Sequence, residues 1–275
     1  MNAPTAFPTL HLNDGREMPQ LGFGTYKIEN DDATDVVAMA LEEGFRLIDT
    51  ASIYGNEQGV GKALSGKHGL FLTTKIWNDD QGYDETKAAF HQSLARLGRD
   101  EVDLLLMHWP CPDKGKFVET WKAMTELRDD GRVKSIGVSN FNADHLQTLI
   151  DESGVVPAVN QVELHPTFQQ KELRAFHKEH NIITQSWYPL GSGEAMSHPV
   201  IQDIAKELDA DPGAVVLRWH MQSGCSPIPK ASSREHMAAN RGAMQVFLNR
   251  DHMARIDALD SADGRKGPDP KTFCG

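Results

Sequence analysis

The chain has 275 residues, 39% of them hydrophobic and 24% charged, which is the composition of an ordinary globular protein long enough to bury a large core without a staple. With 39 acidic against 28 basic residues the formal net charge is −11, so nucleic acid is repelled overall and any bound phosphate must meet a local basic cluster. The first residues lack a basic n-region and an apolar h-region, no apolar run is long enough to span a bilayer, and the 3 cysteines (Cys111, Cys225 and Cys274) form no CxxC pair; these features predict no export, no membrane, no disulfide framework and a reducing, cytoplasmic setting.

In chain order, residues 9–12 and 16–18 flank Asn13-Asp14-Gly15, an Asp-Gly turn signal that reads as a β-hairpin. A short apolar run at 21–25 is followed by a stretch at helical period, with Val36, Val37, Ala40 and Leu41 on one face, Asp31 and Asp32 near its start and Gly44 after its end. Further β-branched or apolar runs lie at 46–50, 70–76, 102–109, 134–140, 158–164, 182–190 and 225–230. Amphipathic stretches separate most of them, for example Phe117, Trp121, Met124 and Leu127 ahead of Gly131. Two proline-opened helices are predicted at 199–208 and 212–222, and two more at 233–246 and 251–259, before a polar segment rich in Gly and Pro.

Alternation of strand and helix implies a parallel sheet, and eight units close naturally into a (β/α)8 TIM barrel. No GxGxxG follows any candidate strand, as an open dinucleotide-binding sheet would require. The hairpin then caps the bottom of the barrel, and with no linker of biased composition the whole chain, 1–275, reads as one domain. No heptad or free edge strand argues for assembly, so a monomer is expected.

Barrel enzymes carry their chemistry at the C-terminal ends of the strands. Here those ends hold Asp49, Lys75, His108, Ser139 with Asn140, and Gln161, with Tyr54 one short loop beyond Asp49. Taken singly, Asp49 reads as a helix cap, Lys75 as a rim lysine and His108 as a core histidine. Taken together they form a proton-delivery device: an ammonium beside a phenol stabilises the phenolate and lowers a pKa that is otherwise about 10. Asp49 would hold Lys75 charged, Tyr54 would be the general acid, and a neutral His108 would orient a carbonyl oxygen. Tyr26, Trp77 and Trp109 cluster where loops surround the mouth and are read as substrate-binding, with Phe273 a further candidate. The loop 191–197 is short, which favours an open site. Histidines 11, 165, 177, 180 and 220 share no ligand spacing, so no metal is expected, and Cys111 is read as a bystander thiol.

The segments LGFGTY, GFRLIDTASIYGNE, LTTKIW, DLLLMHWP, GRVKSIGVSNF, PAVNQVELHP, SWYPLG and IPKASSREHMAAN span nearly the whole chain, and in them the sequence resembles the aldo-keto reductases, most closely the bacterial 2,5-diketo-D-gluconate reductase type. The resemblance implies reduction of an aldehyde or ketone, a small-molecule carbonyl substrate, by NADPH, with Asp49, Tyr54, Lys75 and His108 as the catalytic tetrad. It also implies that Ser139, Asn140 and Gln161 hold the nicotinamide carboxamide, Trp187 stacks on the ring, and Leu190, Gly191 and Ser192 line the pyrophosphate. Near the adenosine, Lys230 and Asn240 match the family. Its usual serine, arginine and glutamate are replaced by Ala231, His236 and Ala239. An imidazole lacks the bidentate charge of a guanidinium, so Ser232 or Arg234 would have to compensate, and use of NADH is a further expectation. Two other readings are a non-catalytic, regulatory nucleotide-binding subunit of the same fold and a Schiff-base aldolase with Lys75 as nucleophile. The latter leaves Tyr54, Asn140, Gln161 and Trp187 without a role.

Overall fold

The computed structural model describes residues 7–275. The strands are β1 (Thr9–His11), β2 (Glu17–Pro19), β3 (Gly22–Gly24), β4 (Leu47–Asp49), β5 (Phe71–Ile76), β6 (Val102–Met107), β7 (Val133–Ser139), β8 (Val159–Glu163), β9 (Ile183–Trp187) and β10 (Ser226–Pro227). The helices are α1 (Asn30–Glu42), α2 (Glu57–Leu64), α3 (Tyr83–Leu97), α4 (Phe117–Asp129), α5 (Ala143–Ser153), α6 (Lys171–Glu179), α7 (Glu194–Ser197), α8 (Pro199–Glu207), α9 (Pro212–Gln222), α10 (Arg234–Arg241) and α11 (Arg250–Asp257). Strands β3 to β10 form one 8-stranded sheet in chain order, all neighbours parallel, and β1 pairs with β2 as a separate antiparallel hairpin. The Gly24 N–H donates to Pro229 O at 3.1 Å and brings the first barrel strand against the last. This is the (β/α)8 barrel expected from the alternating pattern.

Where the structure differs from the expected boundaries, local chemistry accounts for it. The last strand is only two residues long, because Pro227 and Pro229 have no N–H to extend the ladder. The segment 191–197 is not an open loop but a 3-10 turn, Gly191–Gly193, running into α7. The helix expected over 233–246 stops at Arg241 and continues as a 3-10 turn through Met244.

Strand register decides what enters the barrel. Gly24 pairs with Asp49, Lys75 with Leu106, Ser139 with Gln161, and Gln161 with Gln185, so one alternate set of residues points inward on every strand. The interior is too narrow for a side chain at every inward position. A Cβ on Gly137 would lie 2.5 Å from Val159 O, and one on Gly24 2.9 Å from Ile228 O. The outward set, including Ile48, Leu72, Leu105 and Val138, packs under the helices with Trp121 and Trp219 in the main core.

The lower half of the barrel is apolar and the hairpin seals it. Leu12 and Met18 pack in a second cluster with Leu47, Phe71, Leu104, Leu106 and Val159, and Met18 has no exposed surface. Polar contacts fix the hairpin: Asn13 Nδ2 donates to Pro157 O at 3.0 Å, and Ser135 Oγ donates to Asp14 Oδ2 at 2.6 Å. Truncating a buried methionine removes this plug, so Met18→Ala is expected to lower stability by about 2–4 kcal/mol in urea unfolding while the folded fraction keeps its activity.

Two buried histidines outside the cavity make the fold sensitive to acid. His177 lies between Asn160 Nδ2 (2.9 Å) and Thr184 Oγ1 (2.8 Å), His220 contacts Pro189 O at 3.0 Å, and burial pushes each down to about 3. The unfolded chain protonates them near pH 6.5 and the folded chain does not. Their contribution is therefore present above pH 6.5 and is lost as the pH falls toward 3. Together they are expected to remove about 4 kcal/mol between pH 7 and pH 5. Urea midpoints across that range test this, and the slope should flatten in the His177→Gln and His220→Gln variants.

Candidate active site

The upper half of the barrel is polar because the inward positions there carry Asp49, Lys75, His108, Ser139, Gln161 and Trp187. Lys75 has no solvent exposure, and all three of its N–H bonds are used: to Asp49 Oδ1 at 2.6 Å, to Thr50 O at 2.9 Å and to Tyr54 Oη at 3.3 Å. An ammonium has no acceptor lone pair, so in the third contact the phenol oxygen must accept. The Tyr54 hydroxyl proton is left to point elsewhere. The other Asp49 oxygen accepts from Gln161 Nε2 at 2.7 Å, and the same amide donates to Gln185 Oε1 at 2.7 Å. A hydrogen-bonded chain thus runs across the barrel interior beneath the site.

The electrostatics differ from the sequence-based expectation at Tyr54. Burial first, then the Asp49 carboxylate and Tyr26, hold the phenol well above its ordinary value of 10.0, whereas Lys75 alone was expected to lower it. The reason is that Asp49 sits close enough to offset the ammonium while burial penalises phenolate. Burial also draws Lys75 below 10.5, against the pull of Asp49 and Glu57. His108 is held well below 6.5 by burial and by the Lys75 charge, so it is neutral at pH 7. Its Nδ1 is buried without a partner, which leaves Nε2 as the nitrogen open to the cavity.

A cavity of about 870 Å³ opens above these groups, lined among others by Asp49, Tyr54, Trp77, His108, Trp109, Ser139, Asn140, Gln161 and Trp187. Its aromatic wall is continuous: Tyr26 and Tyr54 centroids are 5.1 Å apart, Tyr54 and His108 5.8 Å, and His108 and Trp77 5.1 Å. All four residues read as substrate-binding (Tyr26, Trp77, His108 and Trp109) line it. Trp187 is held at its edge, where Nε1 donates to Asn140 Oδ1 at 2.7 Å. Asn140 Nδ2 donates in turn to His108 O at 3.0 Å and Ser139 Oγ at 3.1 Å. Asn140, Tyr188, Ser192 and Lys27, all on the cavity wall, have positive φ, and such backbone strain collects where a surface has been shaped for a ligand.

The residues expected around a dinucleotide divide into two groups. Ser139, Asn140, Gln161, Trp187, Leu190, Ser192 and Lys230 line the cavity. Gly191, Ser232, Arg234 and Asn240 do not: Gly191 is buried with its N–H donating to Tyr188 O at 2.8 Å, Asn240 is buried, and Ser232 is exposed. Arg234 is held by two carboxylates of the end of α1, Glu42 at 2.5 Å and Glu43 at 2.9 Å. The N–H of His236 donates to Ser233 Oγ at 3.3 Å and closes the N-terminus of α10.

The segment 265–275 folds back over the mouth and supplies Phe273, a candidate from the sequence, together with Lys266, Gly267 and Pro268, which carried no sequence signal. Glu163, the last residue of β8, holds it: its carboxylate accepts from Lys266 N at 2.6 Å and Gly267 N at 2.8 Å and contacts His165 Nε2 at 3.2 Å. Burial opposes ionisation of Glu163, but these donors prevail and keep the carboxyl below its usual range. A Cβ on Gly267 would lie 2.5 Å from Trp187 Cη2, so bare backbone packs against the indole. Cys111 and Cys274 are joined as a disulfide with Cα atoms 4.8 Å apart, which corrects the reading of Cys111 as a bystander thiol. They are 163 residues apart in sequence, and only the path of this segment brings them together. Among the described residues no cluster of metal-ligating side chains occurs.

Comparison with known proteins agrees with this geometry. The model of the Aldo/keto reductase family matches residues 20–261. The chain is 47% identical over 270 residues to an aldo-keto reductase of Mycolicibacterium smegmatis, covering 97% of this chain and 98% of that protein. It is 45% identical over 277 residues to methylglyoxal reductase DkgA of Escherichia coli K12, covering 98% and 100%. Among solved structures, a mutant of Gox0644 in complex with NADPH superimposes with a TM-score of 0.96 at 48% identity, covering 98% of this chain and 99% of that one. With the barrel, the polar upper layer and full-length likeness all in agreement, the chain belongs to the aldo-keto reductase family.

Proposed function

We propose that the chain, acting as one catalytic domain, reduces aldehydes and ketones with NADPH, with Tyr54 as the general acid and Lys75, Asp49 and His108 completing the tetrad. The observation that carries this reading is the Lys75 ammonium donating to Tyr54 Oη with its other two N–H bonds fixed by Asp49 and Thr50, because it aims the phenol proton away from the lysine. When bound, the reduced nicotinamide supplies hydride to the carbonyl carbon. Trp187 would offer its open face to the ring, Ser139, Asn140 and Gln161 would receive the carboxamide, Leu190 and Ser192 the pyrophosphate and Lys230 the adenosine end. The neutral His108 would donate through Nε2 to the carbonyl oxygen and fix its position near Tyr54. Tyr54 would then protonate that oxygen, a favourable transfer even from a phenol of raised pKa because an alkoxide is far more basic. Lys75 would stabilise the phenolate formed, and Asp49 would keep Lys75 in place.

The substrate class follows from the wall. Tyr26, Trp77 and Trp109 favour flat or apolar groups on the carbonyl carbon, and the relationship to a methylglyoxal reductase makes small dicarbonyls the natural first panel. NADH use follows from the adenosine end. Arg234 is neutralised by Glu42 and Glu43, and Lys230 is the one cation from the predicted phosphate site that lines the cavity.

Two outcomes are expected. Tyr54→Phe should lower kcat by about 10²–10⁴-fold with little change in NADPH affinity. In the wild type, kcat/KM should show no inflection near pH 6.5, since His108 is already neutral there, and should decline only on the alkaline side as the coupled Lys75 and Tyr54 site loses a proton. An inflection near 6.5 that disappears in His108→Gln would refute the neutral-histidine role. For the cofactor, kcat/KM with NADH should lie within about a thousandfold of that with NADPH, and Lys230→Ala should narrow the gap by weakening NADPH alone.

A further inference from the structure

The segment 265–275 is fastened to the barrel at two places of different chemistry. At the Trp187 end, Glu163 grips the Lys266 and Gly267 amides and Lys266 Nζ pairs with Glu194 Oε2 at 2.5 Å. Beyond Gly267 the pattern changes. Thr272 N and Phe273 N donate to Asp269 O, and Lys271 N donates to Asp269 Oδ1, so this turn is bonded to itself. Among the described residues, the Cys111–Cys274 disulfide is the only covalent or hydrogen-bonded link from residues 268–275 to the barrel.

What this link holds down is a wall of the substrate pocket. The Phe273 ring lies 4.5 Å from Trp109, and a Cβ on Gly275 would be 3.2 Å from Trp77. The docked position carries a cost. Asn78 lies against Gly275, and both polar atoms of its side-chain amide are buried without a partner. Aromatic contact favours docking and the stranded amide opposes it. The covalent link acts on the side of docking.

We propose that the Cys111–Cys274 disulfide is a redox-controlled fastening of the substrate-side wall: oxidised, it keeps Phe273 against Trp109 and narrows the pocket; reduced, it releases residues 268–275 while the Glu163 clamp keeps the cofactor side intact. A dithiol reductant breaks the S–S bond, giving two electrons and two protons to the pair and becoming a disulfide itself. Hydrogen peroxide reverses the step, taking two electrons and two protons from Cys111 and Cys274 and yielding two waters. Carbonyl substrates would thereby be selected differently in the two states, an inference that rests on the cavity being the carbonyl site.

The test compares wild type treated with hydrogen peroxide or dithiothreitol with Cys274→Ser under both treatments. Alkylation under denaturing conditions should find only Cys225 free in the oxidised wild type and all three thiols after reduction. Tryptic cleavage after Lys271 reports release of the segment without any turnover and should be about tenfold faster after reduction. The KM for benzaldehyde should rise about threefold to tenfold, the equivalent of losing one aromatic contact, while that for glyoxal changes less than about twofold. Quenching of tryptophan fluorescence by NADPH should be unchanged, and Cys274→Ser should match the reduced wild type whatever the treatment. Three free thiols before reduction, or equal cleavage and equal benzaldehyde KM in the two states, would overturn the proposal. Faster cleavage with no turnover of any carbonyl in either state would instead count against the functional reading while upholding the redox release of the segment.

Discussion

A lysine with no solvent exposure is the constraint around which the upper barrel is arranged. An ammonium buried without partners would lose its proton or unfold the site, and removing one member of a buried pair costs about 3–5 kcal/mol because the other charge is left stranded. Here Asp49, Thr50 O and Tyr54 Oη meet the three N–H bonds of Lys75, and Gln161 meets the second Asp49 oxygen. Asp49, Thr50 and Tyr54 come from the end of β4 and the turn after it, Lys75 from β5 and Gln161 from β8 across the barrel. The barrel therefore has to close in one register for the charge to be tolerated, and that same register puts the phenol beside the ammonium. Stability and chemistry make the same demand on Asp49 and Lys75.

Parity along the strands divides the barrel interior into two levels. Leu47, Phe71, Leu104 and Val159 sit one or two inward steps below Asp49, Lys75, His108 and Gln161, and the hairpin residues Leu12 and Met18 close the apolar level from beneath. A dry, well-packed lower level gives the polar level a rigid floor. It also excludes water from one side of Lys75 and His108, which is why burial is the leading influence on the protonation of both. The missing Cβ atoms at Gly24 and Gly137 belong to the same economy of space, since either one would collide with the backbone of a neighbouring strand.

The mouth is built differently from the floor. Its walls come from loops and from the segment 265–275, held by a buried carboxylate, one surface ion pair and one disulfide. Asp49, Lys75 and Gln161 thus sit on strands, His108 just beyond one and Tyr54 in the 3-10 turn after β4, while pocket shape depends on a segment with few polar attachments. This division separates a tightly packed polar floor from a wall that few polar contacts attach.

Much of this was legible in the amino-acid sequence. The eight apolar runs, the Asp-Gly hairpin and the polar residues at strand ends follow from local periodicity and turn chemistry, and those patterns survive folding because each is satisfied within a few residues. Long, specific segments such as GFRLIDTASIYGNE and GVSNF also carried the family likeness and pointed to Asp49, Tyr54, Ser139 and Asn140, which line one cavity. Tertiary structure alone decided what depends on distance between remote parts of the chain. It set the direction of the Tyr54 shift, because burial and Asp49 act through space. It neutralised Arg234 with Glu42 and Glu43, and it brought Cys274 to Cys111 and Lys266 to Glu163. No spacing rule links residues 163 positions apart; the return path of the chain over the barrel mouth does.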